Sequence, residues 1–381
     1  MKKLSFFLVM ILTLQIFTFH IYADDHGTSI CDTTQTNQPS VTAKSAILMD
    51  ANSGEILYSK NINTKRYPAS ITKIMTTLVA IENCKSLYET VTYSEHAINS
   101  IEPGSSQIYI LPGEKLTLEE SLYAIMLESA NEACNGVAEH IGGSIEGFVD
   151  MMNTKAEEIG CTNTHFMNPN GLHNDDHYVT AHDMALITKT ALSNPTFRKI
   201  TSTISYTIPS TNKQKQQRPL WNHHKMVKKT MFNFDGVEGG KTGFTIMARN
   251  TLVTWANRDG LELICVVLRD NGYECYSDTL KLLNYGYKNY KAYSPLTCRT
   301  FDISDFESSD LIIENIKNFS PYTLTVDGDT SYSVLMNKST DASSIQKEVS
   351  YDEKSKSNVF NLYCNKKKIG SVPFTLTMER P

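Results

Sequence analysis

Ser70-Ile71-Thr72-Lys73, preceded by Tyr67-Pro68-Ala69, places a hydroxyl and an amine three residues apart. Positions three apart share a helical face, so the Lys73 amine reaches the Ser70 hydroxyl. Serine is a weak nucleophile until a base takes its proton. Lysine is such a base only when neutral, a state that burial or nearby cations bring about. Ser129-Ala130-Asn131 offers a second hydroxyl and a carboxamide for a cleft. Lys241-Thr242-Gly243 follows Gly236-Val237-Glu238-Gly239-Gly240; glycines let a strand edge approach a ligand closely, while lysine and threonine bind a carboxylate. Each motif alone has a plainer account: a capped helix with an exposed lysine, a small polar turn between helices, and a glycine-rich turn into an edge strand.

The elements around the motifs position them. Ala46 to Met49 and Ile56 to Tyr58 flank Asn52-Ser53-Gly54 and predict a hairpin. Pro68 suits the start of a helix with Ser70 in its first turn, and Ile71, Ile74, Met75, Leu78 and Val79 continue it at helical spacing. Thr117 with Glu120 predicts a capping box ahead of Leu118, Leu122, Ile125 and Met126, so Ser129 falls where that helix gives way to the next. Further helices start at Ser144, ending near Gly160, and at Thr180, running to about Ser193. Asn250 to Ala256 and Leu261 to Leu268 flank an Asp259-Gly260 hairpin signal, and Cys275 to Tyr287 reads as a closing helix. After Tyr293-Ser294-Pro295, short runs such as Leu311 to Ile313, Tyr322 to Val326 and Val359 to Tyr363 alternate with polar turns. The expected layout is an α/β domain over 41–293, whose outer parts enclose a helical middle, and a β-sandwich module over 294–381.

Taken in order, the three motifs form the set found in penicillin-recognising serine enzymes. The chain resembles one branch of them, the D-Ala-D-Ala carboxypeptidases (low-molecular-weight penicillin-binding proteins, peptidase family S11). The resemblance rests on Tyr67-Pro68-Ala69-Ser70-Ile71-Thr72-Lys73-Ile74-Met75-Thr76, on Asn168-Pro169-Asn170-Gly171-Leu172 followed by Thr180-Ala181 and Asp183, and on Gly236 to Thr245. It covers roughly residues 42–290; the β module fits the family's accessory domain by position and type only. It implies a β-lactamase/transpeptidase-like fold, an antiparallel sheet with helices plus a helical subdomain. It also implies that Ser70 attacks the carbonyl between the two terminal D-alanines of a peptidoglycan stem peptide while Lys73 accepts its proton. The Ser70 and Phe244 backbone N–H groups would form the oxyanion hole, where losing one donor typically costs ~10²–10³ in rate. Ser129 would relay a proton to the departing D-alanine, Asn131 would hold the substrate amide, and Lys241 with Thr242 would bind the terminal carboxylate. A β-lactam would acylate Ser70 and stay. The sequence departs from the pattern in reading Ser-Ala-Asn where Ser-Gly-Asn is usual. Counting back from Leu282-Leu283 to the position of a carboxylate-binding arginine gives Cys275, leaving Arg269 or Lys281 to substitute.

Composition sets the compartment and excludes other classes. Lys2 and Lys3, an apolar run from Phe6 to Phe19, and Ala23 ahead of Asp24-Asp25 form a secretory signal over 1–23, followed by a polar tether over 24–40. Removing two lysines shifts the formal charge from -5 to -7, and so mild an acidity gives no footprint for nucleic acid. The expected location is extracytoplasmic, secreted or wall-associated. The strand-like end, Pro373 to Thr377 and Arg380-Pro381, leaves no room for the family's C-terminal amphipathic anchor. The eight cysteines are scattered without C-x-x-C spacing, so buried thiols with one or two bridges are the favoured account.

Two clusters have weaker claims. His173, His177 and His182 with Asp175 and Asp176 suggest a metal site, but they fall where the family resemblance already accounts for them, so no metal or cofactor is expected. Lys213, Lys215, Arg218, Lys225, Lys228 and Lys229 interleave with Trp221, His223 and His224 and read as a solvated loop rather than a track for an anionic polymer. Two rivals to a carboxypeptidase remain. A class A-like β-lactamase needs a carboxylate for its deacylating water, where this chain offers Asn168. A non-catalytic penicillin-binding sensor or wall protein would acylate without releasing D-alanine.

Overall fold

The computed structural model describes residues 38–228, 230–293, 323–328, 333–352, 357–364 and 366–379. The expected signal, residues 24–37 of the tether and the Leu311 to Ile313 run lie outside them.

Alternation in the first apolar run decides the architecture. In β1 (Ser45–Asp50), Ile47 and Met49 point to one side and Ala46 and Leu48 to the other, and all are buried. A strand covered on both faces belongs inside a sheet. Accordingly β1 pairs antiparallel with β2 (Ile56–Lys60) on one side. On the other it pairs with β9 (Leu261–Asp270). With β7 (Val237–Thr245) and β8 (Arg249–Arg258) the order is β2-β1-β9-β8-β7. The predicted Asp259-Gly260 turn joins β8 to β9 with both residues at positive φ, 52° and 80°. One face carries Leu48, Leu263, Cys265 and Val267 against Leu282 and Leu283 of α8 (Glu274–Asn289), the expected closing helix.

The other face, with Ile47, Met49, Trp255 and Val266, packs on helices made between β2 and β7. These are α1 (Lys73–Asn83), α2 (Glu95–Asn99), α3 (Leu118–Leu127), α4 (Asn131–Gly142), α5 (Ile145–Ile159), α6 (Ala181–Leu192) and α7 (Pro195–Ser202). Two short ladders, β3 (Thr90–Thr92) with β4 (Lys115–Thr117) and β5 (Ser205–Ile208) with β6 (Arg218–Trp221), tie their loops. The helix signals are realised at the expected residues. Thr117 and Glu120 form a reciprocal capping box, Ser144 and Thr180 accept from the third N–H of their helices, and Gly160 ends α5 at φ 90°.

The region around Ser70 departs from expectation. Residues Ala69–Thr72 form one turn of 3-10 helix, and α1 begins only at Lys73. Side chains three apart eclipse in a 3-10 turn, so Ser70 and Lys73 lie directly over one another rather than being merely on one face. Lys241-Thr242-Gly243 lies within β7, which starts at Val237. Gly239 and Gly240 belong to it because a Cβ there would run into the Trp255 and His224 rings.

Among the described residues the C-terminal region is β apart from one 3-10 turn, Ala342–Ser344. β11 (Thr323–Gly328), β13 (Gln346–Asp352), β14 (Ser357–Cys364) and β15 (Lys367–Glu379) form an antiparallel sheet ordered β11-β15-β14-β13. β10 (Tyr290–Tyr293), directly after α8, pairs with β12 (Val334–Asn337). Cys364 is disulfide-bonded, whereas Cys84, Cys134, Cys161, Cys265 and Cys275 are free thiols, four of them buried. No helix among the described residues is long and apolar enough to cross a membrane.

Thr117→Ala removes one half of the capping box and is expected to cost about 1 kcal/mol. In a domain of this size that lowers Tm by about 2–4 °C, measurable by circular dichroism.

Candidate active site

The three motifs converge beside the free edge of β7. Ser70 Oγ lies 3.0 Å from Lys73 Nζ. The same nitrogen donates to Asn131 Oδ1 at 2.7 Å, at the start of α4, and to the Asn170 carbonyl at 2.5 Å. Both of those oxygens can only accept. A neutral amine has two N–H groups to satisfy them, which turns its lone pair toward the one partner able to donate, the Ser70 hydroxyl. Lys73 is fully buried, and burial pulls its pKa down from 10.5 to about 8. Lys241 is buried as well; burial first, and the charge of Lys73 second, bring it down to about 7. Two ammonium groups so placed oppose each other's charge, and the pair takes up its second proton with difficulty.

Backbone geometry fixes the Ser70 turn. Ala69 has φ 53°, and Thr72 Oγ1 donates to its carbonyl at 2.8 Å. Thr72 has then spent its only proton, so the contact of its Oγ1 with His177 Nε2 (3.0 Å) assigns the imidazole proton to Nε2, with Nδ1 accepting from Met167 N–H. Burial holds His177 down to about 3, hence neutral. On the other flank, Thr251 Oγ1 donates to the Pro68 carbonyl at 2.8 Å. A Cβ on Gly243 would come within 2.9 Å of Ser70 N, so glycine lets β7 lie against the Ser70 turn.

Ser129 stands between α3 and α4 with φ 60°, a left-handed conformation costly for a non-glycine residue. Its hydroxyl is buried and has no hydrogen-bond partner among the described residues. Ala130 at φ −59° and ψ 115° occupies ordinary backbone space, so alanine in place of the usual glycine carries no backbone penalty. Thr242 is half-buried on β7, and Phe244 exposes its ring to solvent. β7 is an edge strand, so it has backbone groups free to pair with an incoming chain.

Two contributions were not legible as site features. The Asn168-Pro169-Asn170-Gly171-Leu172 segment lends its main chain: Asn170 O holds Lys73, Thr76 Oγ1 donates to Pro169 O, and Asn170 Nδ2 donates to Asn135 Oδ1. Gly171, at φ 85°, lies where a Cβ would run into the Ala69 carbonyl. The sequence marked this segment through the family resemblance and gave no sign that its main chain holds Lys73. Glu132, next to Asn131, is buried with its pKa raised by burial, accepting from Ile108 N at 2.7 Å while its other oxygen has no partner among the described residues.

Other candidates take structural places. Cys275 is buried with its thiol donating to Gly272 O, so it cannot replace an arginine, and Lys281 is paired with Asp278 at 2.8 Å. Arg269 lies exposed near the β7–β8 turn, lining a cavity with Met247 and Ala248. His173 stands edge-on to Tyr67, His182 meets Asp183, and no group of three metal-ligating side chains occurs among the described residues. In the basic stretch, Arg218 is paired with buried Glu114, His223 with Glu128, and buried His224 meets Thr254 Oγ1 of β8 at 2.9 Å; Lys229 lies outside the described residues. Asn168 spends its amide on Gly171 N and Leu172 O, and no carboxylate hydrogen-bonds to Ser70 or Lys73 among the described residues.

The family model for D-alanyl-D-alanine carboxypeptidase, peptidase family S11, matches residues 32–272. The chain belongs to this family. It is 32% identical over 357 residues to D-alanyl-D-alanine carboxypeptidase DacF of Bacillus subtilis, covering 92% of this chain and 85% of that protein. To DacC of Escherichia coli it is 32% identical over 267 residues, 68% of this chain and 64% of the relative. Among solved structures, the Streptomyces K15 DD-transpeptidase superposes with a TM-score of 0.63 at 29% identity, over 66% of this chain and all of that one. A Mycobacterium tuberculosis D-alanyl-D-alanine carboxypeptidase superposes with a TM-score of 0.61 at 28% identity, over 69% and 96%. These S11 relatives agree with the fold class expected from the motifs.

Gly171→Ala combines a strained φ with a collision on the nucleophile turn and is expected to destabilise by on the order of 3 kcal/mol. Gly143→Ala, at φ 76° with no atom within 4 Å, carries strain alone and is expected to cost about 1 kcal/mol. Equal Tm losses in the two variants would show that the Gly171 contact with Ala69 is unimportant.

Proposed function

We propose that this protein is a serine-type D-Ala-D-Ala carboxypeptidase that removes the terminal D-alanine from peptidoglycan stem peptides and is acylated by β-lactams. The observation that carries this reading is the fully buried Lys73 amine, 3.0 Å from Ser70 Oγ with two accept-only oxygens on its other sides. Lys241 and Thr242 receive the terminal carboxylate. The scissile carbonyl enters between the Ser70 and Phe244 N–H groups. Ser70 Oγ bonds to that carbon as its proton passes to Lys73 Nζ, and the C–N bond to D-alanine breaks as Ser129 relays a proton to the departing amine. Asn131 holds both Lys73 and the substrate amide. Water then cleaves the Ser70 ester. A β-lactam follows the first step, but its leaving group stays tethered in the site.

We place the peptidase at 41–293 and an accessory β module at 294–381, the module serving for contact with wall or protein partners. Support comes from the five-stranded sheet and the separate β11-β15-β14-β13 sheet. An extracytoplasmic location, with the 1–23 segment as export signal, agrees with the disulfide at Cys364, since such bonds persist in oxidising compartments. The class A-like β-lactamase is disfavoured by the lack of a carboxylate on Ser70 or Lys73 among the described residues.

The test is release of D-alanine from diacetyl-Lys-D-Ala-D-Ala together with mass spectrometry of the penicillin-treated protein. A one-to-one adduct on Ser70 and steady D-alanine release are expected. An adduct without release would make the protein a sensor, and rapid turnover of nitrocefin would make it a β-lactamase. Ser70→Ala is expected to abolish both signals, and Lys73→Arg nearly so, because arginine keeps its proton. The second-order acylation rate is expected to fall with decreasing pH as Lys73, near 8, takes up a proton, by about tenfold per unit once below that value. A rate constant across pH 6–9 would remove Lys73 as the base.

A further inference from the structure

The end of β7 beyond Phe244 leads to a cavity of about 410 Å3 that the proposed chemistry does not use. Three cations line it: Lys65 and Arg66 from the segment before the nucleophile turn, and Arg269 from the end of β9. Tyr67, three residues before Ser70, forms part of its wall, as does Met247 of the β7–β8 turn. The cations have little to neutralise them. Lys65 Nζ sits 4.0 Å over the Tyr178 ring, and Arg66 Nε donates to Ser45 Oγ at 3.2 Å. The one acid of the cavity, Asp175, meets Tyr67 Oη and His173 Nε2, both at 3.4 Å, and is largely exposed. No carboxylate among the described residues pairs with Lys65, Arg66 or Arg269. Arg66 is itself perturbed, its pKa lowered by burial and then by the charge of Arg269.

Chain direction connects this cavity to the substrate. If the terminal carboxylate rests on Lys241 and Thr242 and the scissile carbonyl on the Phe244 N–H, as proposed above, the peptide runs along the edge of β7 toward Thr245 and the turn. An extended chain advances about 3.3 Å per residue. The residue two positions before the acyl alanine therefore falls roughly 7 Å beyond Phe244, level with the turn that carries Met247. We propose that Lys65, Arg66 and Arg269 form an anion subsite for a second carboxylate of the stem peptide, borne by the residue just before the diamino acid. This inference rests on the carboxypeptidase reading for its direction. Arginine suits the task because its planar fork meets a carboxylate through two hydrogen bonds.

The experiment compares two peptides on the full-length protein: N-acetyl-γ-D-glutamyl-(Nε-acetyl)-L-lysyl-D-alanyl-D-alanine and its D-isoglutaminyl counterpart, which replaces the carboxylate by an amide. The expected result is a kcat/KM about tenfold higher for the acid, lost in Arg269→Ala and Lys65→Ala, while the amide stays within about twofold in all three proteins. Equal kcat/KM for the two peptides in the unaltered protein, or equal losses on both peptides in the variants, overturns the subsite. If neither peptide is hydrolysed, the carboxypeptidase reading fails instead, and the subsite is read from protection of Ser70 against benzylpenicillin. Protection by the acid at about tenfold lower concentration than the amide supports it; equal or absent protection overturns it.

Discussion

The Lys73 amine is held without solvent by oxygens from three separate stretches of chain: the Ser70 turn, the start of α4 and the loop at Asn170. A charged ammonium in that position is costly, because burial removes water that three neutral acceptors replace only in part. The same burial that penalises the ammonium brings its pKa down to about 8, so the neutral amine is the main form only above that pH. Much of the surrounding construction serves to keep these three stretches in register. Gly171 and Gly243 let two segments lie against the Ser70 turn from opposite sides, and Thr72, Thr76 and Thr251 each hold a main-chain carbonyl there.

Strain collects around this arrangement. Ala69 and Ser129 both adopt left-handed backbone angles, and neither is glycine. Such conformations persist only where neighbours over-determine them. Here the capping box of α3, the first turn of α4 and the packing of α1 beneath both supply that constraint. His177 and His224 contribute as neutral hydrogen-bonding rings, each buried next to one of the two lysine motifs, and so add no further cation to a site already holding two buried amines.

The sequence disclosed the parts with strong local codes and concealed those that depend on distant packing. Capping at Thr117, Ser144 and Thr180, the stop at Gly160 and the turn at Asp259-Gly260 follow from hydrogen bonds within a few residues, and they appear where expected. The three motifs were legible because their order along the chain is itself informative. The 3-10 turn at Ser70 was not, since helical periodicity does not distinguish it from the first turn of an α-helix. The role of Asn170 was hidden for a different reason: it acts through its carbonyl, which every residue possesses. Arg269 is a sequence candidate for the substrate's terminal carboxylate, but it follows the last β1–β9 pair, Ser45 with Leu268, and lines a cavity with Arg66 and Met247.

The placement of β1 between β2 and β9 has a consequence for how the chain reaches this state. The hairpin of β1 and β2 can form as soon as it is made, yet the inner edge of β1 waits for Leu263 to Leu268, more than 200 residues later. The helices of the middle region rest on a face that does not fully exist until then. Closing so long a loop costs entropy before the contacts that offset it appear, which is the signature of slow, high-contact-order folding. A chain truncated before β9 would therefore keep an open strand edge and an uncovered apolar face, and its N-terminal half would be prone to associate with other chains. Assembly of the site around Lys73 and Lys241 is thus a late event, since both lysines acquire their dry surroundings only when the two ends of the domain meet.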